Sequence, residues 1–239
     1  DNAPAVNAIG SICLLAKNTQ WYLNLMKITS FAGQQGVAGR PKIDITLLEK
    51  YKEGILVFSG GVDSWIAKLL SNGESLSKAE EIFTMLKDKL WAENCYLEII
   101  AQNEAKEPEI EKINKAVLLL AERVQASCLV SNIYIYPKPE DKPTQELAMA
   151  IKDNLKLYDP QHRVLTTENH LMTEEEIRKI CLENGYSEAQ IDSWIHVTEE
   201  IADLCSLKID MGQLLFPKYE AEPEILELYE KNKDQLICE

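Results

Sequence analysis

The feature that most constrains this chain is an apolar run that ends in a glycine turn and leads into an amphipathic run. The run ILVF at residues 55–58 is followed by Ser59, Gly60 and Gly61, and then by residues 62–70. This pattern predicts a strand, a tight turn and a helix. The two glycines let the backbone turn sharply and approach a ligand closely. Asp63 or Ser64 is predicted to cap the helix that follows.

The rest of the first two thirds repeats this alternation of short apolar runs and amphipathic segments. Strands are predicted at residues 11–16, 55–59, 95–100 and 127–131, and a helix at residues 21–31. The patterns Thr46-x-x-Glu49 and Ser77-x-x-Glu80 predict capping boxes for two more helices, and Pro108 a further helix start. Short strands separated by helices favour an α/β layered or barrel fold.

The last third of the chain is predicted to be mainly helical. Pro137, Pro139 and Pro143 indicate a loop. The patterns Thr173-x-x-Glu176 and Ser187-x-x-Gln190 predict capping boxes that open helices at residues 174–184 and 188–204. A short strand is expected at residues 207–211, and an acidic helix is expected from Pro223.

Composition narrows the classes of function. The 239 residues are 46% hydrophobic, which suits one large domain or two small ones. The formal net charge of -14 repels phosphate backbones, so we expect no direct nucleic-acid binding and favour a protein partner with a basic face. No run of the sequence is long and apolar enough to span a membrane. The six scattered cysteines contain no CxxC pair, which predicts reduced thiols and a cytoplasmic location.

A set of short segments along the chain carries a resemblance to a known family. They are CLLAKN at 13–18, YLNLMK at 22–27, RPKID at 40–44, LLEKYKEG at 47–54, ILVFSG at 55–60, YLE at 96–98, VSN at 130–132, NHLMTEEEI at 169–177 and LFP at 215–217. In this order and spacing the set resembles the PHP (polymerase and histidinol phosphatase) domain of bacterial DNA polymerase III alpha subunits. The resemblance implies a distorted, incomplete (βα)7 barrel with extra C-terminal helices, and a role in DNA replication. It also suggests a division into a junction or tag at 1–10, a PHP-like domain at 11–220 and an acidic helix at 221–239.

Active members of that family resemble metallophosphoesterases, whose bound metal ions activate water and hold a phosphate. The early ligands of the family lie in an HxH segment and an Asp-His segment, and neither occurs here, so the chain begins after them or has lost them. Where the family often has a histidine after its Leu-Glu pair, this chain has none at residues 99–103. The Asp-x-His pattern after the Asn matching Asn132 is replaced by Ile133 and Ile135. The resemblance therefore implies no metal site, no cofactor and no catalytic residue, and His162, His170 and His196 are expected to be structural.

A second resemblance concerns the glycine turn alone. The segment SGGVDS at 59–64 resembles the SGGxDS phosphate loop of ATP pyrophosphatases, which would make Ser59, Gly60, Gly61, Asp63 and Ser64 the cofactor-binding residues. Against this alternative, at least one predicted strand precedes the loop, and no basic set follows the next strand. The favoured hypothesis is a non-catalytic PHP-like module that stabilises a polymerase or docks a proofreading subunit. The alternative is an ATP-binding pyrophosphatase-type enzyme.

Overall fold

Four short strands form one mixed sheet in the computed structural model, which describes residues 10–36, 41–209, 211–212 and 222–236. The strands are β1 (Cys13–Ala16), β2 (Ile55–Phe58), β3 (Cys95–Ile100) and β4 (Cys128–Ser131). They lie in the order β1-β2-β3-β4. Strands β2, β3 and β4 are parallel, whereas β1 runs antiparallel to β2. The predicted α/β class is confirmed.

The register of the parallel strands determines where their carboxyl ends meet. Val57 lies opposite Cys95, and Ile100 lies opposite Ser131. The segments that leave β2, β3 and β4 therefore emerge at one edge of the sheet. Within the described residues the sheet is open, with β1 and β4 at its edges, so the (βα)7 barrel stays a prediction.

Helices occupy most of the remaining described chain. They are α1 (Thr19–Gln35), α2 (Ile45–Lys50), α3 (Trp65–Ser71), α4 (Leu76–Leu90), α5 (Pro108–Val124), α6 (Lys142–Lys152), α7 (Glu174–Glu183), α8 (Glu188–Leu204) and α9 (Pro223–Leu236). In the part of the chain that the structure describes, no helix has the length and apolar character needed to cross a membrane.

The chain divides into two units, residues 1–208 and residues 209–239. The second unit contains α9, which begins at Pro223 as predicted. Most of the expected junction at 1–10 and the LFP segment at 215–217 lie outside the described residues.

The core lies on both faces of the sheet. Every residue of β2 is buried. Phe83 of α4 and Leu120 of α5 pack in the main cluster with the alternate residues Leu97 and Ile99 of β3. On the other face, Ile201 of α8 packs in a smaller cluster with residues of β2 and β4. Helices on both faces explain why these strands read as continuous apolar runs.

Local capping decides where the helices begin, and two of the predicted capping boxes are wrong. Helix α2 is capped by Asp44, whose side chain accepts the N–H of Leu47 at 2.8 Å, so it starts before Thr46. Helix α4 follows Ser75, which makes no side-chain capping bond. The boxes at Thr173 and Ser187 are confirmed.

The proline-rich segment after β4 differs from its prediction as a loop. Residues Pro139–Asp141 form a 3-10 turn, and α6 follows directly. Pro143 lies in the first turn of α6, where a missing N–H costs no helical hydrogen bond. The strand expected at 207–211 is also wrong where it can be checked, because residues 207–209 belong to no strand.

Candidate functional site

A groove lies at the edge of the sheet where the parallel strands end. It has a volume of about 330 Å3 and is lined by Ser11, turn residues 61–63, Glu98 and Ile100 of β3, and residues 131–134. We call it the mouth groove. The residues of the predicted SGGVDS site differ in burial. Ser59 is buried, Gly61 is half-buried and Asp63 is exposed.

Glu98 supplies the carboxylate of the mouth groove. It is half-buried on β3, and its Oε1 accepts a hydrogen bond from the Ser131 hydroxyl at 2.5 Å. Its backbone N–H donates to Ser59 Oγ at 3.0 Å, which ties the glycine turn to β3. Among the described side chains, none forms an ion pair with Glu98. Within the described ranges, the negative charge of Glu98 is therefore not neutralised by an ion pair.

The glycine turn is held by Ser11, which precedes β1. The Ser11 N–H donates to the Asp63 carbonyl at 2.8 Å, and the Ser11 carbonyl accepts the Trp65 N–H at 3.2 Å. Gly60 has a φ of +80°, a left-handed conformation that favours glycine, and a Cβ there would lie 3.4 Å from the Ser11 carbonyl oxygen. The predicted turn is therefore present. The group that approaches Gly60 closely is the Ser11 backbone of the same chain.

Backbone N–H groups that a phosphate bound at the glycine turn would need already donate hydrogen bonds within the chain. The Trp65 N–H is bound to Ser11, and the Ala67 N–H donates to Ser64 Oγ at 3.1 Å, which confirms Ser64 as the cap of α3. Asp63 pairs with Lys68 of α3 at 3.3 Å, so this cation is already engaged by a carboxylate of the turn. This geometry gives no support to a pyrophosphate loop.

Ile133 and Ile135 serve the structure through their backbone groups. The Ile133 carbonyl accepts from the Gln102 side chain at 3.1 Å and from the Asn169 side chain at 3.2 Å. The Ile135 N–H donates to the Asn169 carbonyl at 2.8 Å. Ile133 also lines the mouth groove, so a hydrocarbon side chain stands there.

None of the three histidines lines the mouth groove. His170 is buried, and its Nε2 lies 3.0 Å from Glu176 Oε1. His162 Nδ1 is 2.7 Å from the Asp159 carbonyl, and the exposed His196 faces Glu200 on its own helix. No group of three or more His, Cys, Asp and Glu side chains suited to a metal ion occurs within the described ranges.

The Glu176 carboxylate joins His170 to the start of α7. Its Oε2 accepts the Thr173 N–H at 2.8 Å within the capping box. The Thr173 backbone donor, followed by the His170 ring, lowers the pKa of Glu176 below its usual range. Asn132 adds a second link, because its side-chain amide donates to the His170 carbonyl at 2.7 Å. His170 therefore positions the segment after β4 against α7.

Three buried cysteine thiols in the described part of the chain are poor nucleophiles. Burial raises the pKa of Cys95, Cys128 and Cys181 to about 11 in each case. Cys13 is exposed as a residue, but the pKa of its thiol is also raised, first by desolvation and then by the charge of Glu98. These four thiols are therefore protonated at neutral pH, and thiolate chemistry is disfavoured.

A buried polar network behind the mouth groove was not predicted. Glu104 is buried and accepts from the Asn114 side chain at 2.7 Å and from the Tyr186 hydroxyl at 2.5 Å. A signal was present in the sequence, because Asn114 occupies a core position between Ile110 and Val117 on an otherwise apolar helix face. A polar residue at such a position requires buried partners.

Comparison with known proteins finds a match to a family model over part of the chain. Residues 4–102 match the model of the PHP domain. The resemblance to the PHP domain predicted from the segment series is confirmed over this part of the chain.

Full-length relatives extend the match. The chain is 29% identical over 209 residues to DNA polymerase III subunit alpha of Haemophilus influenzae, an alignment that covers 87% of this chain and 17% of that protein. It is 26% identical over 225 residues to the Aquifex aeolicus subunit, covering 89% and 18%. For the Thermus aquaticus subunit the identity is 27% over 205 residues, covering 84% and 16%. The predicted resemblance to DNA polymerase III alpha subunits is thus confirmed, and the chain spans less than a fifth of the length of these relatives.

Proposed function

We propose that this chain is a PHP-type module of a DNA polymerase III alpha-like protein that acts in DNA replication without catalysis of its own. The observation that carries the proposal is the alignment of 87% of the chain with a DNA polymerase III alpha subunit. On this proposal the four-stranded sheet is part of a distorted PHP-type barrel. Residues 11–220 form the domain, between a junction at 1–10 and the acidic helix at 221–239.

The chemistry of the mouth groove supports a non-catalytic role. Metal-assisted hydrolysis requires several imidazole and carboxylate ligands that converge on the ions. Here Ile133 contributes hydrocarbon, and Gln102 is engaged with the Ile133 carbonyl. Of the two carboxylates, Glu98 is held by Ser131 and Asp63 is paired with Lys68. Such a set provides neither the charge nor the ligand number for that reaction.

The surface supports a docking or stabilising role toward another protein of the replication machinery. The net charge of -14 opposes contact with a nucleic-acid backbone and favours a partner with a basic face. Exposed apolar side chains such as Tyr134 and Ile135 stand beside the mouth groove, and clustered exposed apolar groups are typical of protein interaction sites. A cytoplasmic location is part of the same proposal.

Binding measurements with two purified partners test this role. The chain is mixed with a DNA polymerase III alpha subunit that lacks its own PHP domain, and separately with the proofreading exonuclease. We expect a complex with at least one of them by size-exclusion chromatography and calorimetry, and no retention on duplex DNA at physiological salt. Absence of both complexes would contradict the docking role, and tight DNA binding would contradict the electrostatic argument.

A further inference from the structure

The mouth groove combines a half-buried acid, Glu98, with a wall that is part polar and part apolar. Val62 and Tyr134 on its rim keep 40% and 62% of their surface exposed, and Ile133 lies between Tyr134 and the strand end. Glu98 lies among these groups, and no lining residue is a lysine or an arginine. A groove of this kind offers a cation both a carboxylate and an apolar surface.

Among the residues that the structure describes, none supplies Glu98 with the opposite charge that a partly desolvated carboxylate usually has. Its Oε1 receives only the neutral Ser131 hydroxyl, and the nearby Asp63 is paired with Lys68. Charges withdrawn from water are normally paired with an opposite charge. A cation from outside the described chain would complete this site.

The walls discriminate between kinds of cation. A divalent metal ion prefers several oxygen ligands that converge on it, whereas other oxygen-bearing side chains of the groove are engaged: Asp63 pairs with Lys68, and the Ser11 and Ser131 hydroxyls donate to Asp63 and Glu98. A phosphate is repelled by Glu98. An arginine side chain matches all three features, because its stem packs on apolar surface, its planar guanidinium stacks on an aromatic ring, and its N–H groups pair with a carboxylate.

We propose that the mouth groove receives an arginine side chain of a protein partner, with Glu98 as the anion and Tyr134 as the stacking ring. The inference rests on the proposed docking function and specifies the surface and the chemistry of the partner. Val62 and Ile133 contact the aliphatic stem. Ser131 holds the carboxylate in place while its second oxygen faces the guanidinium.

A titration with a minimal probe tests the inference on the full chain. N-acetyl-arginine amide is added to the isotope-labelled protein, and amide resonances are followed by NMR. We expect saturable shifts at residues 61–63, 98 and 131–134 with a dissociation constant in the millimolar range. The neutral isostere N-acetyl-citrulline amide should not produce them.

Two charge-matched variants make the test specific. Glu98→Gln keeps the shape and the acceptor for Ser131 but removes the charge, so we expect at least about a tenfold loss of affinity. Glu175→Gln removes one charge from an exposed site elsewhere and should leave the affinity unchanged. Equal binding of citrulline, or unchanged binding by Glu98→Gln, would overturn the inference.

The outcome is separable from that of the proposed function. If the chain binds a polymerase or exonuclease subunit equally well with and without Glu98, the docking role stands and the arginine site falls. If the probe binds as expected but neither subunit does, the arginine site stands and the docking role falls.

Discussion

Single buried side chains hold the segments that surround the mouth groove. Asn114 is fully buried, and its Oδ1 accepts the Ile100 N–H at 2.9 Å. Its amide donates to the Ile100 carbonyl at 2.9 Å and to Glu104 at 2.7 Å. One side chain therefore satisfies the backbone at the end of β3 and a buried carboxylate at once.

Replacing Asn114 with alanine should lower the free energy of unfolding by about 3 kcal/mol or more, because several buried polar groups lose their partner at about 1–3 kcal/mol each. The measurement is urea denaturation followed by circular dichroism. Lys112→Ala, on the exposed side of the same helix, is the control and should change stability by less than about 0.5 kcal/mol. Equal effects of the two substitutions would contradict the assigned network.

The charge of Glu98 should be visible in the reactivity of Cys13. Desolvation raises the pKa of that thiol most, and the charge of Glu98 raises it further. Glu98→Gln should remove this smaller contribution, lower the pKa and increase the thiolate fraction near pH 8. Site-resolved alkylation by iodoacetamide, read by mass spectrometry, should show faster modification of Cys13. Cys95 and Cys128, with pKa values of about 11, should stay protected in the folded chain.

Glu175→Gln is the control for this experiment and should leave the rate at Cys13 unchanged. An unchanged or slower rate in Glu98→Gln would show that the carboxylate does not act on the thiol.

At the scale of secondary-structure elements, the N-terminal caps of α3 and α4 can be compared, because both are serines. Ser64 is buried and its Oγ accepts the Ala67 N–H, whereas Ser75 makes no side-chain capping bond. Ser64→Ala should therefore destabilise the chain by about 1 kcal/mol, and Ser75→Ala by clearly less. Thermal or urea unfolding of the two variants measures the difference. Equal destabilisation by the two substitutions would mean that the side-chain hydrogen bond of Ser64 does not stabilise the chain.

The start of α7 should give a pH-dependent contribution to stability. Because the pKa of Glu176 is lowered in the folded chain, its contribution is complete above the ordinary pKa of a glutamate and is lost as pH falls through the lowered value. Glu176→Gln should thus be less stable than the parent above the ordinary pKa of a glutamate, about 4.3, with the gap closing as pH falls below it. Urea midpoints across this range measure it, and a gap that widens on acidification would contradict the sign.

Local signals predicted most elements, and contacts between distant segments explain the rest. The four strands and the boxes at Thr173 and Ser187 follow from patterns within a few residues. The boxes at Thr46 and Ser77 fail because Asp44 competes as a cap and because the Ser/Thr-x-x-Glu spacing also occurs inside helices. Ser11 holds the glycine turn through a contact with Asp63, which lies 52 residues away in the sequence, so no local pattern could predict it.

At the scale of the whole molecule, the proposed role rests on a partial family match and on the composition of the mouth groove. The PHP match and the alignments with DNA polymerase III alpha subunits show what the chain is similar to. The groove presents the Glu98 carboxylate, which forms no ion pair with a described residue, beside an aromatic ring and aliphatic side chains. The proposed protein-binding, non-catalytic role is argued from these two observations.

Metal content after exposure to metal ions tests this account most directly. The chain is incubated with Zn²⁺ or Mn²⁺, dialysed, and assayed for bound metal and for hydrolysis of model phosphoesters. We predict well below one metal ion per chain and no turnover above a protein-free blank. Stoichiometric metal retained after dialysis, or metal-dependent turnover that is lost in Glu98→Gln, would contradict the proposal of a non-catalytic module.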